Sequence, residues 1–203
     1  MQIQTFVLGE LQTNCYLVFE ETGEAAVIDP ADEANFISEQ ILKQNLKLKH
    51  IIATHGHFDH ILAAWELTLA FDLSLSLHPK DKFMADYMQK SAQYWLKRKI
   101  IEKPPEKVKD LKEKYIQFGR QKLKVILTPG HTPGSICLYS PKEKVLFTGD
   151  TLFADGVGRT DLPYGSEKNL SISLKKLAKL PENTKIYSGH GPAGALKDIT
   201  RRA

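Results

Sequence analysis

Short runs rich in β-branched and aromatic side chains occupy residues 3–8, 14–19 and 25–29, separated by Thr13-Asn14 and Glu21-Thr22-Gly23-Glu24. Runs of that length between turn formers predict an antiparallel meander. Over 32–46 the apolar positions Phe36, Ile37, Ile41 and Leu42 recur at helical spacing, and 50–54 follows as a short strand. The pattern then predicts a helix over 61–71, a strand over 73–77 and a longer amphipathic helix over 81–101, which Pro104-Pro105 ends. Three more strands, 122–127, 135–139 and 144–148, are punctuated by Pro129-Gly130 and Ser140-Pro141 and make a second meander. A helix over 167–180, with Ser166 as its N-cap, and a strand over 185–187 close the chain. Strands and helices thus come in two similar batches. Two sheets packed face to face with helices outside both, an α/β layered domain, accommodate them most simply.

Composition narrows the class without naming a function. A chain of 203 residues that is 42% hydrophobic and 26% charged can bury a sizeable core, so no metal or disulfide staple is needed for folding. The net charge of +4 is modest, and the lysines are scattered or lie within 80–124, which reads as a solvated helical face and not a nucleic-acid groove. Cys15 and Cys137 each sit inside an apolar run, as buried strand thiols do, and neither has a CxxC partner. No apolar stretch reaches the ~18 residues a membrane helix needs, and residues 1–8 lack a signal-peptide pattern. The expectation is a cytoplasmic protein with no membrane and no nucleic-acid partner.

The histidines change the picture. Five of the seven, His55, His57, His60, His131 and His190, fall at predicted strand ends beside glycine, proline or acidic residues. Thr54-His55-Gly56-His57-Phe58-Asp59-His60 packs three imidazoles and a carboxylate between a strand and a helix. His55 and His57, two apart, can point the same way from extended backbone, whereas Asp59 and His60 would enter the first helical turn facing elsewhere. Two adjacent metal positions could be served. Imidazole nitrogen and carboxylate oxygen suit zinc, iron or manganese, and without thiolates no closed zinc finger forms. His131 stands in the loop Pro129-Gly130-His131-Thr132-Pro133-Gly134, Asp150 ends a strand in Thr148-Gly149-Asp150, and His190 ends the last in Gly189-His190-Gly191-Pro192. Seen singly, His131 is as readily part of a tight turn, while a cap or turn for Asp150 and a surface turn for His190 are the favoured readings.

In order, these motifs resemble the metallo-β-lactamase superfamily of hydrolases. Gln12-Thr13-Asn14-Cys15-Tyr16-Leu17 and Gly158-Arg159-Thr160-Asp161-Leu162-Pro163 resemble, within it, the small glyoxalase II-like hydrolases. The resemblance implies a four-layer αββα sandwich, one metallo-β-lactamase-like domain over 1–203, with the metal site at one end between the sheets. It further implies that His55, His57 and His131 hold one divalent ion, that Asp59, His60 and His190 hold a second, and that Asp150 bridges them. Zinc is the expected metal, with iron or manganese the alternatives at either position. Two such ions can share a water and lower its pKa toward about 7, which implies hydrolysis of a small-molecule S-acylglutathione-like thioester through a bridging hydroxide, with Asp59 and Asp150 the carboxylates at the reacting centre.

Arg159 lies where the glyoxalase II pattern carries a basic residue toward the substrate, where it could grip a carboxylate, or pair with Asp161 to stiffen the loop. Full-length glyoxalase II enzymes add a C-terminal helical domain that contacts glutathione, and this sequence is expected to lack one. A related reading is an iron-dependent persulfide dioxygenase, with His55, His131 and Asp150 as the iron ligands. A third, of a different class, is a non-catalytic protein stapled by its metal, with the lysine-rich region as a binding surface. The oligomeric state is not read from the sequence.

Overall fold

A computed structural model describes residues 1–197, so the last six residues of the expected 1–203 domain lie outside the described residues. One six-stranded sheet runs in simple chain order: β1 (Gln2–Leu8), β2 (Thr13–Phe19), β3 (Glu24–Ile28), β4 (Lys47–Ile52), β5 (Leu75–Leu77) and β6 (Val108–Asp110). Its first three strands are the antiparallel meander, and from β3 onward the pairing is parallel, with α1 (Ala34–Lys43) and α2 (Ala64–Ala70) as crossovers. The second sheet holds β7 (Tyr115–Phe118), β8 (Gln121–Leu127), β9 (Ile136–Ser140), β10 (Val145–Gly149), β11 (Lys185–Ser188) and β12 (Gly194–Ala195), also in chain order. Its single parallel pair, β10 with β11, is joined through α5 (Glu167–Leu177).

Strand β2 shows why the layers stack as they do. All seven of its residues are buried, and successive side chains point to opposite faces. Tyr16 and Val18 join Ile28, Ile52, Phe118, Ile136, Leu138 and Phe147 in the core between the sheets. Cys15, Leu17 and Phe19 face the other way, onto Ile37 and Ile41 of α1 and Leu67 of α2. The second sheet repeats this, with Cys137, Leu146 and Ile186 under Leu177 of α5. A sheet buried on both faces requires a layer on each, and the result is the expected αββα sandwich. Among the described residues no helix is long and apolar enough to cross a membrane.

Three expectations need correction. The helix expected over 61–71 begins at Ala64, and Asp59 and His60 sit in a separate 3₁₀ turn, Phe58–His60, instead of the helix's first turn. The turn closes through His60 N–H donating to His57 O at 3.1 Å and Ile61 N–H to Phe58 O at 3.0 Å, with Phe58 buried as its anchor. The helix expected over 81–101 is three pieces: a 3₁₀ turn Pro79–Asp81, α3 (Lys82–Asp86) and α4 (Met88–Leu96), broken at Tyr87 and ended by Lys97 at φ 55°. Asp81 is fully buried and bonded to neighbouring loops, which fixes the start of this segment independently of its helical periodicity. Strands β6, β7 and β12 were not expected. They are two to four residues long and edge-lying or charged, too short to show a period.

Candidate metal centre

The strand ends bring the seven expected ligands to one place. His55 and His57 follow β4, Asp59 and His60 come from the 3₁₀ turn, His131 follows β8, Asp150 follows β10 and His190 follows β11. His55 Nε2 lies 3.0 Å and His131 Nε2 2.9 Å from His57 Nδ1, so three imidazoles converge on one point. A second cluster joins Asp59, His60 and His190: Asp59 Oδ2 is 3.4 Å from His60 Nε2 and 3.3 Å from His190 Nε2. Asp150 stands between them. Its Oδ2 is 3.6 Å from both His131 Nε2 and His190 Nε2, and its Oδ1 is 3.5 Å from His60 Nε2.

These donors fit two metal ions. Four ligands around a tetrahedral ion at ~2.05 Å stand about 3.3 Å apart, close to the spacings here. His60 Nε2 and Asp150 Oδ1 are buried without a hydrogen-bond partner, which native interiors rarely tolerate. Both are aimed into the centre. Nitrogen and oxygen donors without thiolate suit zinc, iron or manganese.

Outer contacts decide which ring nitrogen of His55, His131 and His190 faces inward. His131 Nδ1 donates to the Arg159 carbonyl at 2.8 Å, and His190 Nδ1 to the Leu11 carbonyl at 3.0 Å. Thr54 donates its N–H to Asp29 Oδ1 at 2.6 Å and its hydroxyl to Asp29 Oδ2 at 2.9 Å, which leaves Thr54 Oγ1 to accept from His55 Nδ1 at 3.1 Å. Asp29 Oδ2 also stands 3.1 Å from His60 Nδ1, at ion-pair distance without hydrogen-bond alignment. Each inward Nε2 of His55, His131 and His190 thereby keeps a free lone pair. Thr13 Oγ1 donates to Asp59 Oδ2 at 2.9 Å, and Asn14 Nδ2 donates to the carbonyls of Ser188 and Gly191, both at 2.9 Å, tying β2 to the end of β11. Close approach explains Gly189: a Cβ there would collide with Asp150 Oδ1 and lie 2.7 Å from His60 Cε1.

Asp81 is the residue sequence reasoning missed most completely. Its carboxylate accepts Gly56 N–H at 3.0 Å, Thr132 Oγ1–H at 2.6 Å and Gly134 N–H at 2.6 Å, so one buried side chain fastens the His55–His57 loop to the His131 loop. Asp29 was missed too, although Asp-Pro directly after a fully apolar run was a legible sign of a carboxylate at a buried strand end. His50 and His78 stay outside the centre: His50 Nε2 is 2.8 Å from the Gln117 carbonyl, and His78 Nδ1 accepts Lys80 N–H at 3.3 Å.

The two clusters differ electrostatically. Burial, reinforced by the charge of His131, pushes His57 down to about 3, and burial with the surrounding histidines holds His55 well below the ordinary imidazole range. Burial opposes charge on His60 too, but Asp59, Asp150 and Asp29 outweigh it and raise its pKa to about 10. Burial would raise Asp59, yet His60 and His190 pull it well below the usual carboxylate range. Arg159 forms a bidentate pair with Asp161 on the surface, Nε to Oδ1 and Nη2 to Oδ2 both at 2.7 Å, while its carbonyl holds His131.

Residues 8–190 match the Metallo-beta-lactamase superfamily. The Hydroxyacylglutathione hydrolase GloC of Haemophilus influenzae is 34% identical over 193 residues, covering 94% of this chain and 91% of that protein. The crystal structure of TTHA1623 in a di-iron-bound form superposes with a TM-score of 0.89 at 38% identity, over 98% of this chain and 97% of the other. That of the BLEG-1 B3 metallo-beta-lactamase gives 0.89 at 34% identity over the same shares. The chain belongs to the metallo-β-lactamase superfamily of metal-dependent hydrolases.

Proposed function

We propose that the protein is a thioesterase acting on small S-acylglutathione-like thioesters, with zinc as its metal at both positions. The observation that carries the reading is Asp150, set between two three-donor clusters within reach of both. His55, His57 and His131 would hold one ion, Asp59, His60 and His190 the other, and Asp150 both. Ions so held supply an acidified water and an electrophile for a carbonyl. Thr13 fixes the Asp59 carboxylate at 2.9 Å, and Asp29 and Asp81 fix the loops, so the donors stay in place when a substrate enters. Attack at the carbonyl releases a carboxylic acid and a thiol. A thiolate leaves without prior protonation far more readily than an alkoxide, since its conjugate acid has a pKa near ~8.5, so no general acid is demanded of the chain.

The protein's own thiols take no part. Burial pushes Cys137 up to about 11 and Cys15 further, leaving neither as a nucleophile at neutral pH. Both are free and buried, which fits a reducing compartment, and we place the enzyme in the cytoplasm. Arg159 would leave Asp161 to grip a carboxylate of the thiol carrier, as exposed pairs of this kind exchange at little cost. The name of the Haemophilus relative supports glutathione as that carrier.

Assays with S-lactoylglutathione, with metal content measured on the same sample, test the proposal. Asp150→Ala should lose bound metal and turnover together, and full turnover in that variant overturns it. A second reading, iron-dependent persulfide dioxygenation at His55, His131 and Asp150, draws on the di-iron form of the TTHA1623 relative. Oxygen uptake with glutathione persulfide, in protein purified without added metal, separates the two.

A further inference from the structure

The turn Leu162-Pro163-Tyr164-Gly165 is closed by Gly165 N–H donating to Leu162 O at 3.0 Å, and Tyr164 lies at φ 72°. Proline at the second position followed by a left-handed residue at the third is the type II pattern, which asks for glycine or asparagine at the third. A tyrosine stands there. Large side chains accept a left-handed backbone only when surroundings impose it, and such strain gathers at functional sites. The ring is not buried for stability. It is 65% exposed and packs edge-on against Phe83, itself 37% exposed, with centroids 4.9 Å apart.

Both rings are tethered to the loops of the His55, His57 and His131 cluster. Phe83 is in α3, two residues after Asp81, whose carboxylate binds Gly56 and Gly134; α3 packs so closely that a Cβ on Gly56 would lie 2.8 Å from Met84 Cβ. Tyr164 precedes Ser166 by two residues, and Ser166 N–H donates to Gly130 O at 2.7 Å, next to His131. Arg159, whose carbonyl holds His131, begins the same loop. The pair therefore joins a segment fastened to the His55–His57 loop to a segment fastened to the His131 loop.

We propose that Phe83 and Tyr164 form an aromatic ledge that receives a flat apolar group of the substrate, making them specificity-determining residues for the site. The inference rests on the thioesterase reading above and adds to it a preference for aryl-bearing thioesters. Edge and face of two rings set at 71° offer a corner for a third ring, whereas a short acyl group such as acetyl is too small to reach both. The aryl group could belong to the acyl or the thiol side, and the chemistry of contact is the same.

Three substrates separate these cases: S-acetyl-N-acetylcysteamine with no aryl group, S-benzoyl-N-acetylcysteamine with one on the acyl side, and S-benzyl thioacetate with one on the thiol side. The metal-loaded enzyme should favour one aryl substrate, and Tyr164→Gly should raise KM for it about three- to tenfold, the range of an aromatic contact, with kcat and the acetyl substrate unchanged within about twofold. Glycine suits the turn, so Tm should hold or rise in this variant; Phe83→Ala should show the same KM pattern. Equal KM values for all three substrates, or an equal loss on all three in Tyr164→Gly, overturn the proposal. Calorimetric binding of a non-hydrolysable thioether, S-benzyl-N-acetylcysteamine, separates the two failures. Binding weakened by Tyr164→Gly with no thioester hydrolysed keeps the ledge and removes the thioesterase reading. Equal binding to both proteins removes the ledge.

Discussion

Charge at single residues divides the metal centre into an open half and a guarded half. His55 and His57 are neutral at any pH near 7, because burial holds both pKa values low. His60 keeps a proton up to about 10 because three carboxylates surround it. Ligation takes neutral imidazole, so an ion entering beside His60 must expel that proton. At pH 8, between the ordinary imidazole value of ~6.5 and the raised one, metal loading at the second cluster should release the His60 proton and so more protons than loading at the first. Calorimetric titration in buffers of different ionisation heat reads this directly; equal release at both positions would refute it. The same shift stabilises the metal-free fold below pH ~6.5, and that contribution disappears as pH rises through about 10. Asp81 acts through hydrogen bonds. Asp81→Asn turns one of its accepting oxygens into an amide that faces a donor, at a cost of about 2–3 kcal/mol. Thermal unfolding should move down by roughly 5–10 °C in a chain of this size.

At the scale of elements, the centre is made of strand ends and short turns, and helices matter through their starts. Ser166 caps α5, its hydroxyl accepting Asn169 N–H at 3.3 Å, while its own N–H holds the loop beside His131. Ser166→Ala removes only the cap, so it should cost about 1 kcal/mol of stability with metal content unchanged. Chemical denaturation and metal analysis on one sample check both halves of that statement; loss of metal would mean that the hydroxyl supports the site as well. The division of the 81–101 segment belongs here too. Its apolar positions keep helical spacing, but Asp81 and the packing of Met84 over Gly56 hold its first turn against the ligand loops. Periodicity reports which face is buried and carries no word of where an element is tethered.

The whole molecule explains why so many donors can sit together unneutralised. Three apolar clusters, one between the sheets and one under each helical layer, are built without any ligand residue. A fold of this size with its own core does not need a metal staple. Chelation should therefore leave the far-ultraviolet circular dichroism spectrum unchanged at 25 °C while lowering Tm, the shift growing with free metal concentration as binding linkage requires. Unfolding on chelation would favour the stapled, non-catalytic alternative.

What the sequence determined by itself was the alternation of its strands, the two-batch order that makes a layered sandwich, and the ligand types gathered in His55–His60 and spaced onward to His190. Local pattern suffices there, because burial of a strand face and the chemistry of imidazole and carboxylate are properties of the residues. Tertiary structure alone decided that Asp29 and Asp81 brace loops 25 and 53 residues away in sequence, and that Tyr164 meets Phe83. Those contacts join segments whose separation in the chain carries no period. They arise only when two sheets close on a shared core and bring their strand ends to one edge.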